Sequence, residues 1–345
     1  RSFGGEGVAF RARGYGRRCP SLPGSIGVSQ LGKYIVRRLL ATIPVLIGIT
    51  FITSAMVSLA PGDAVKLMLG SETANPANIE RLQKELGLDR PWYEQYLRYM
   101  AGLLKGDMGR SIVYRRPAAD QIKEKLGNTI VLAISSTIFA LVVSVPLGVL
   151  AAAKRRSWID YAATTLAMIG VSLPGFYLGL LMILFFGVRL GWLPIRGMGA
   201  TDAGVWAYLR HLIMPSITLG SALAAILTRL TRSSVLEALS QDYVRTARAK
   251  GVHEKVVLYK HALRNALLPV ATTFGLQFGS LLGGAVITET IFSWPGIGML
   301  AVNAVKQRDI PVIQGTTLVF AVSFVLVTLA VDILYMLIDP RIRYE

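Results

Sequence analysis

At 345 residues, 53% of them hydrophobic and only 17% charged, the chain is too apolar for an ordinary soluble domain. A net charge of +17 raises nucleic acid as a partner, but Lys and Arg stand between apolar stretches instead of forming one basic-aromatic surface; the composition points to a polytopic membrane protein that binds no nucleic acid. The single cysteine, Cys19, excludes an intrachain disulfide and a cysteine metal cluster.

Residues 1–30, rich in Gly and Arg, have no apolar core of their own and read as a flexible tail; no signal-peptide-like apolar run precedes Leu31. Gly27, Gly32 and Lys33 reproduce the spacing of a phosphate-binding loop, but Tyr34 stands where a Ser or Thr would ligate Mg²⁺ and a membrane span follows, so the match is coincidental. Crossing ~30 Å of hydrocarbon takes roughly 20 residues at 1.5 Å each. Charge-free windows at about 39–62, 126–153, 161–188, 211–228, 266–288 and 310–331 meet or approach that length and predict an all-α membrane protein of six transmembrane helices.

Between the first two windows, residues 63–125 form a long loop with helical pattern. Asn75 and Pro76 can open a helix that stops at Gly87, and Pro91 a second that ends near Gly106. Trp92, Tyr93, Tyr96 and Tyr99 suit a helix lying at the headgroups, either as a cap that receives a partner or as a plain interfacial lid. Trp192 and Trp206 read as interfacial anchors; Pro146, Pro174 and Pro215 can kink the spans they touch. Gly275, Gly279 and Gly283, spaced at four, offer a face for close helix packing. Glu289 and Trp294 fall at the edge of the fifth span, and Asp332, near the end of the sixth, is placed to reach Arg341 or water.

Residues 229–264 interrupt the apolar pattern with eight Lys or Arg against three acids. Asp242 can N-cap a short helix over Tyr243–Lys250 and Gly251 can stop it. Lipid would not tolerate such a segment, which leaves a docking surface or a helix pair resting on the membrane. Because the loop 63–125 is long enough to escape the rule, the Lys and Arg of the shorter connections favour a cytoplasmic N-terminus, a cytoplasmic 229–264 loop and a cytoplasmic C-terminal tail.

Glu237 and Ala238, with Gly251 fourteen residues after Glu237 and then Leu268 and Pro269, resemble the EAA motif of ABC-importer permeases, with Leu239 where that motif has Ala. The runs DYVRTARAKG (Asp242–Gly251), HALRNALLPV (His261–Val270), LGLDRPWYEQYLRYM, GDMGRS, ETIFSWPGIG and DPRIRY resemble its peptide, glutathione and nickel branch. The resemblance implies the type I importer permease fold, in a bacterial inner membrane. It implies a pathway shared with a second, homologous permease, an extracytoplasmic substrate-binding protein, and two ATPase subunits that hold ATP and Mg²⁺, so that this chain is no enzyme and carries no catalytic or metal-binding residue. On the same basis Glu237, Ala238, Asp242, Tyr243, Arg245, Thr246, Ala247, Arg248, Lys250 and Gly251 are expected to meet the ATPases, and Asp63, Glu289 and Trp294 the outer gate or the binding protein. A peptide such as a dipeptide or glutathione is the expected cargo, with nickel or another small solute as the alternative. An ion-coupled transporter, the rival class, would place ionisable groups at mid-membrane, where these windows have none.

Overall fold

The computed structural model describes residues 28–59, 80, 84, 89–199 and 204–338. The tail 1–27, Asp63, the DPRIRY ending and the expected helix 75–87, apart from the helical, ion-paired Glu80 and Lys84, lie outside the described residues. Among the described residues ten main helices follow one another: α1 (Val28–Leu59), α2 (Trp92–Leu104), α3 (Ala118–Ala153), α4 (Trp158–Ser172), α5 (Gly175–Met182), α6 (Gly204–Ser240), α7 (Asp242–Ala249), α8 (Leu263–Phe292), α9 (Ile297–Gln307) and α10 (Ile310–Ile338). A π-helix, Ile183–Arg189, prolongs α5; a short turn, Glu254–Val256, and a second π-helix, Val257–Ala262, lead into α8.

Five of these runs, in α1, α3, α6, α8 and α10, are long and apolar enough to cross a membrane. The third expected span, 161–188, is instead the pair α4 and α5, bent by 107°. Proline causes the break: Pro174 has no N–H to give a helix and forces the residue before it out of the helical region, and Leu173 sits at φ −78°, ψ 125°. The fourth differs as well. Where the charges from Arg229 onward suggest that the span ends at Thr228, α6 continues as helix to Ser240. No Gly or Pro interrupts Thr228–Ser240, and the half-buried Arg232 is matched by Asp160 of α4 through bonds of 2.5 and 2.8 Å. Asp160 is 3% exposed and also accepts the Arg156 N–H at 2.9 Å, so the buried carboxylate is fully engaged. At 37 residues α6 spans roughly 55 Å, well beyond the bilayer core, and its polar last turns project from one end.

The core gathers Leu132 and Ala140 of α3, Leu219, Leu223 and Leu227 of α6, Val270, Leu281 and Ala285 of α8, and Trp294. Helices α3 and α6 make the most extensive contact, because glycines let their backbones meet. A Cβ on Gly148 would lie 2.6 Å from Thr231 Cβ, and one on Gly220 2.5 Å from the Ser136 carbonyl oxygen. The glycine row of α8 is divided: Gly275 and Gly279 are buried, Gly279 against the Phe324 ring of α10, while Gly283 is open. Eight residues at 100° each turn the row by about 80°, too far for one neighbour to cover. Leu40, Val142 and Leu166, each at least 60% exposed, belong to the apolar surface that lipid would wet.

Helix α2 grips α1. Tyr96 is buried and donates its hydroxyl to the Ile47 carbonyl at 3.2 Å, while Phe51 takes Trp92 and Tyr96 edge-on. Burial leaves the Tyr99 hydroxyl without a hydrogen bond and pushes its pKa up to about 12. Only Trp92 and Tyr93 of the expected headgroup belt remain exposed. Asp332 of α10 pairs with Arg38 of α1 at 2.9 Å; Arg341, the other group expected within its reach, lies outside the described residues.

Candidate functional site

The amphipathic turn at the polar end starts from two small buried residues. Val244 and Ala247, three apart and so on one face of α7, pack with Val257 and with Leu239 and Val252. Leu239 also borders a second cluster of Val149, Ala152, Val235, Ala238, Ala262 and Ala266, so α7 is anchored to the ends of α3, α6 and α8 together. The opposite face presents Asp242, Tyr243, Arg245, Thr246, Arg248 and Lys250, and Glu237 is exposed beside it on the last turns of α6. Of the residues expected to meet a partner here, Ala238 and Ala247 therefore serve packing, while the others in α7 are available.

Asp242 is not the cap expected of it. Gln241 is the N-cap and makes no side-chain capping bond; Asp242 is the first helical residue, where its charge suits the positive end of the helix dipole. The other end closes tightly. Val252 N–H reaches the Ala247 carbonyl at 3.2 Å and Gly251 N–H the Arg248 carbonyl at 2.9 Å, the paired bonds of a Schellman turn. That turn needs a left-handed residue at its hinge, and Gly251 has φ +75°. Past it, Arg248 grips Glu254 with two bonds, 2.6 and 3.1 Å, and His253 Nδ1 accepts the Lys255 N–H at 3.2 Å. The result is a braced eight-residue element set between the ends of α6 and α8; a force applied to its exposed face is carried into both long helices.

At the opposite end of the bundle, Glu289 and Trp294, expected at the outer gate or against the binding protein, offer no surface for the second of these. Both are 0% exposed. Glu289 accepts the Thr129 hydroxyl at 2.6 Å and the Met299 N–H at 3.0 Å; Thr129 in turn accepts the Ile297 N–H at 2.9 Å. Trp294 donates its indole N–H to the Asn128 carbonyl at 3.0 Å, and the Asn128 amide donates to the Pro295 carbonyl at 2.8 Å. A boundary acid and a boundary tryptophan thus become the tie between α3, α8 and the start of α9, because the Ser293–Gly296 turn folds back over them; Ser293 takes φ +50° to allow it. The glycines are steric necessities: a Cβ on Gly296 would fall 2.2 Å from a Glu289 carboxylate oxygen. Asp63, the third residue expected at this end, lies outside the described residues. Sequence reading passed over Asn128, Thr129, Ser111 and Asp309. The last two hydrogen-bond each other and Asp309 also accepts the Ile112 N–H at 3.1 Å, joining the segment before α3 to that before α10. No local pattern marks these residues, since their partners are more than 150 positions away.

Comparison with known proteins places this geometry. Residues 144–344 match the family described as binding-protein-dependent transport system inner membrane component, and residues 31–118 match the N-terminal family that accompanies such membrane components. The glutathione transport system permease protein GsiC of Escherichia coli strain K12 is 46% identical over 312 residues, which are 90% of this chain and 99% of the relative. That of Shigella boydii serotype 4 is 45% identical over the same shares. Among solved structures, an inward-facing MetNI methionine ABC transporter superposes with a TM-score of 0.52 at 19% identity, over 64% of this chain and 96% of that one; at such identity the likeness is one of fold.

Proposed function

The chain belongs to the binding-protein-dependent transport system inner membrane components and is a multi-pass permease subunit of an ABC importer; on that premise we propose that it carries glutathione or a related short peptide and that α7 is the part that ATPase subunits drive. The observation that supports the cargo is likeness to glutathione permeases along nearly the whole chain, not in one motif. The drive is supported by the braced helix with its charged, exposed face.

In this reading two ATPase subunits bind ATP and Mg²⁺ on the cytoplasmic side, a second permease completes the passage and a binding protein delivers cargo from outside. The exposed basic turn Lys154–Arg156 lies at the same end as α7, since Val149 and Ala152 pack with Ala238 and Ala262 there; that concentration of cations supports a cytoplasmic location for this end and for both termini. When the ATPases close, α7 moves with them and tilts α6 and α8, and α8 pivots about the tie at Glu289, where it is joined to α3 and α9.

The test is reconstitution of the whole importer in proteoliposomes with its binding protein. ATP-dependent uptake of labelled glutathione or a dipeptide is the expected result. Uptake of Ni²⁺ with no uptake of either peptide would overturn the assignment of cargo.

A further inference from the structure

A cavity of about 250 Å³ opens between α5, α6 and α8, and no charged residue lines it. Its polar wall is made by Thr218 of α6 with Gln277, Ser280 and Thr288 of α8. The last three share one helical face, at spacings of three and eight. Ser280 and Thr288 spend their hydroxyl protons on carbonyls of their own helix, at 2.6 and 3.2 Å, which leaves their oxygens as acceptors.

Thr218 behaves differently. Most span threonines here bond back to the carbonyl four residues before, as Thr228, Thr288 and Thr316 do. Thr218 is 3% exposed and its hydroxyl has no hydrogen bond within the protein. Its methyl group is seated over Gly179, so closely that a Cβ there would lie 3.2 Å away. A buried hydroxyl left unpaired costs roughly 1–3 kcal/mol; a turn of the side chain toward the cavity that Thr218 borders would let an occupant remove that cost.

We propose that this cavity is a subsite of the transport pathway that binds the neutral amide portion of a peptide, with Thr218 and Gln277 as its hydrogen-bonding groups. The proposal rests on the reading of the chain as a peptide permease and adds where and by what chemistry the cargo is met. Three observations select an amide. Hydroxyl and carboxamide groups supply both donors and acceptors, which an amide N–H and C=O require. A carboxylate or ammonium group would find no counter-ion in the cavity and would pay its desolvation unaided, so the charged ends of the cargo stay outside. The volume lies below the roughly 300–1,000 Å³ of pockets that enclose whole ligands, so the cavity takes part of a peptide.

The experiment uses the complete importer in proteoliposomes with one unchanged binding protein, so that selection before the permease cancels. Uptake efficiency is compared for a tripeptide and its depsipeptide analogue, in which an ester replaces one amide and removes its N–H. Thr218→Val keeps the methyl on Gly179 and breaks no bond within the protein; Thr218→Ser keeps the hydroxyl. The expected result is that Thr218→Val lowers the amide-to-ester preference about fivefold, the worth of one neutral hydrogen bond, that Gln277→Leu lowers it likewise, and that Thr218→Ser retains it. If peptide uptake continues in Thr218→Val and Gln277→Leu with the wild-type preference, the subsite is overturned and the peptide permease stands. If the wild-type importer takes up neither compound, the peptide reading and the subsite fall together.

Discussion

Two glycines show how one residue type meets opposite demands in this protein. Nothing lies within 4 Å of a Cβ built on Gly251, so what that position requires is its φ of +75°. Gly251→Ala should cost about 1 kcal/mol, leave the importer assembled, and lower uptake a few-fold. Gly251→Pro cannot adopt the angle and also loses the N–H that reaches the Arg248 carbonyl, so ATP hydrolysis should persist while uptake disappears. Parallel assays of hydrolysis and uptake separate the two, and wild-type uptake by Gly251→Pro would sink the account of α7. Gly296 is constrained by space instead, and behind that constraint is Glu289. Glu289→Ala removes the acceptor for Thr129 and Met299 at once and opens a void beneath Gly296; a loss of about 2–4 kcal/mol is expected, read as a fall of several degrees in melting temperature in detergent.

At the scale of the element, the brace between Arg248 and Glu254 matters for geometry more than for stability. Both side chains are more than 40% exposed, and such pairs contribute at most about 1 kcal/mol, so Arg248→Glu should leave melting almost unchanged. It should nevertheless weaken coupling, because like charges would push the Schellman turn away from the entrance to α8. The swap with Glu254→Arg should restore uptake to near wild type. Failure of the double variant to recover would mean that Arg248 acts by touching a partner itself. The buried clamp of Asp160 on Arg232 is the opposite case: Asp160→Ala strands a guanidinium between α4 and α6, and destabilisation of about 3 kcal/mol or more should follow, visible as reduced membrane yield.

Across the whole molecule, the braced α7 and the Glu289 tie lie at opposite ends of the same two bundled helices, α3 and α8, and α6 runs between them. That arrangement suits a rocking body, with the force applied at one end and the pivot at the other. Affinity purification from membranes should therefore bring ATPase subunits down with this chain. The pair Glu237→Lys and Arg245→Glu, both on the exposed face, should reduce their recovery without reducing recovery of a second permease; equal recovery of ATPase would place the engine's grip elsewhere.

Much of this was decided by the chain locally. Apolar runs of about 20 residues commit to helices that cross a membrane, since no other element satisfies its backbone in lipid within one segment; the all-α architecture and five of its crossings follow from that alone. Pro91, Asp242 and Gly251 mark helix ends for equally local reasons, although it was Gln241, one step earlier, that took the cap. Only the tertiary structure could decide the rest. Whether a proline merely sits in a span or breaks it is not written in the residue: Pro215 lies inside the continuous α6, whereas the span at Pro174 is bent by 107°. Arg232 stays on a continuous α6 because Asp160, 72 positions away, neutralises it. Glu289 and Trp294, which look like surface groups at the edge of a span, are interior ones because Thr129 and Asn128, 160 and 166 positions away, come to meet them. A sequence shows a polar residue in an apolar setting, but burial and partnership belong to contacts between distant segments, and those exist only once the chain has folded.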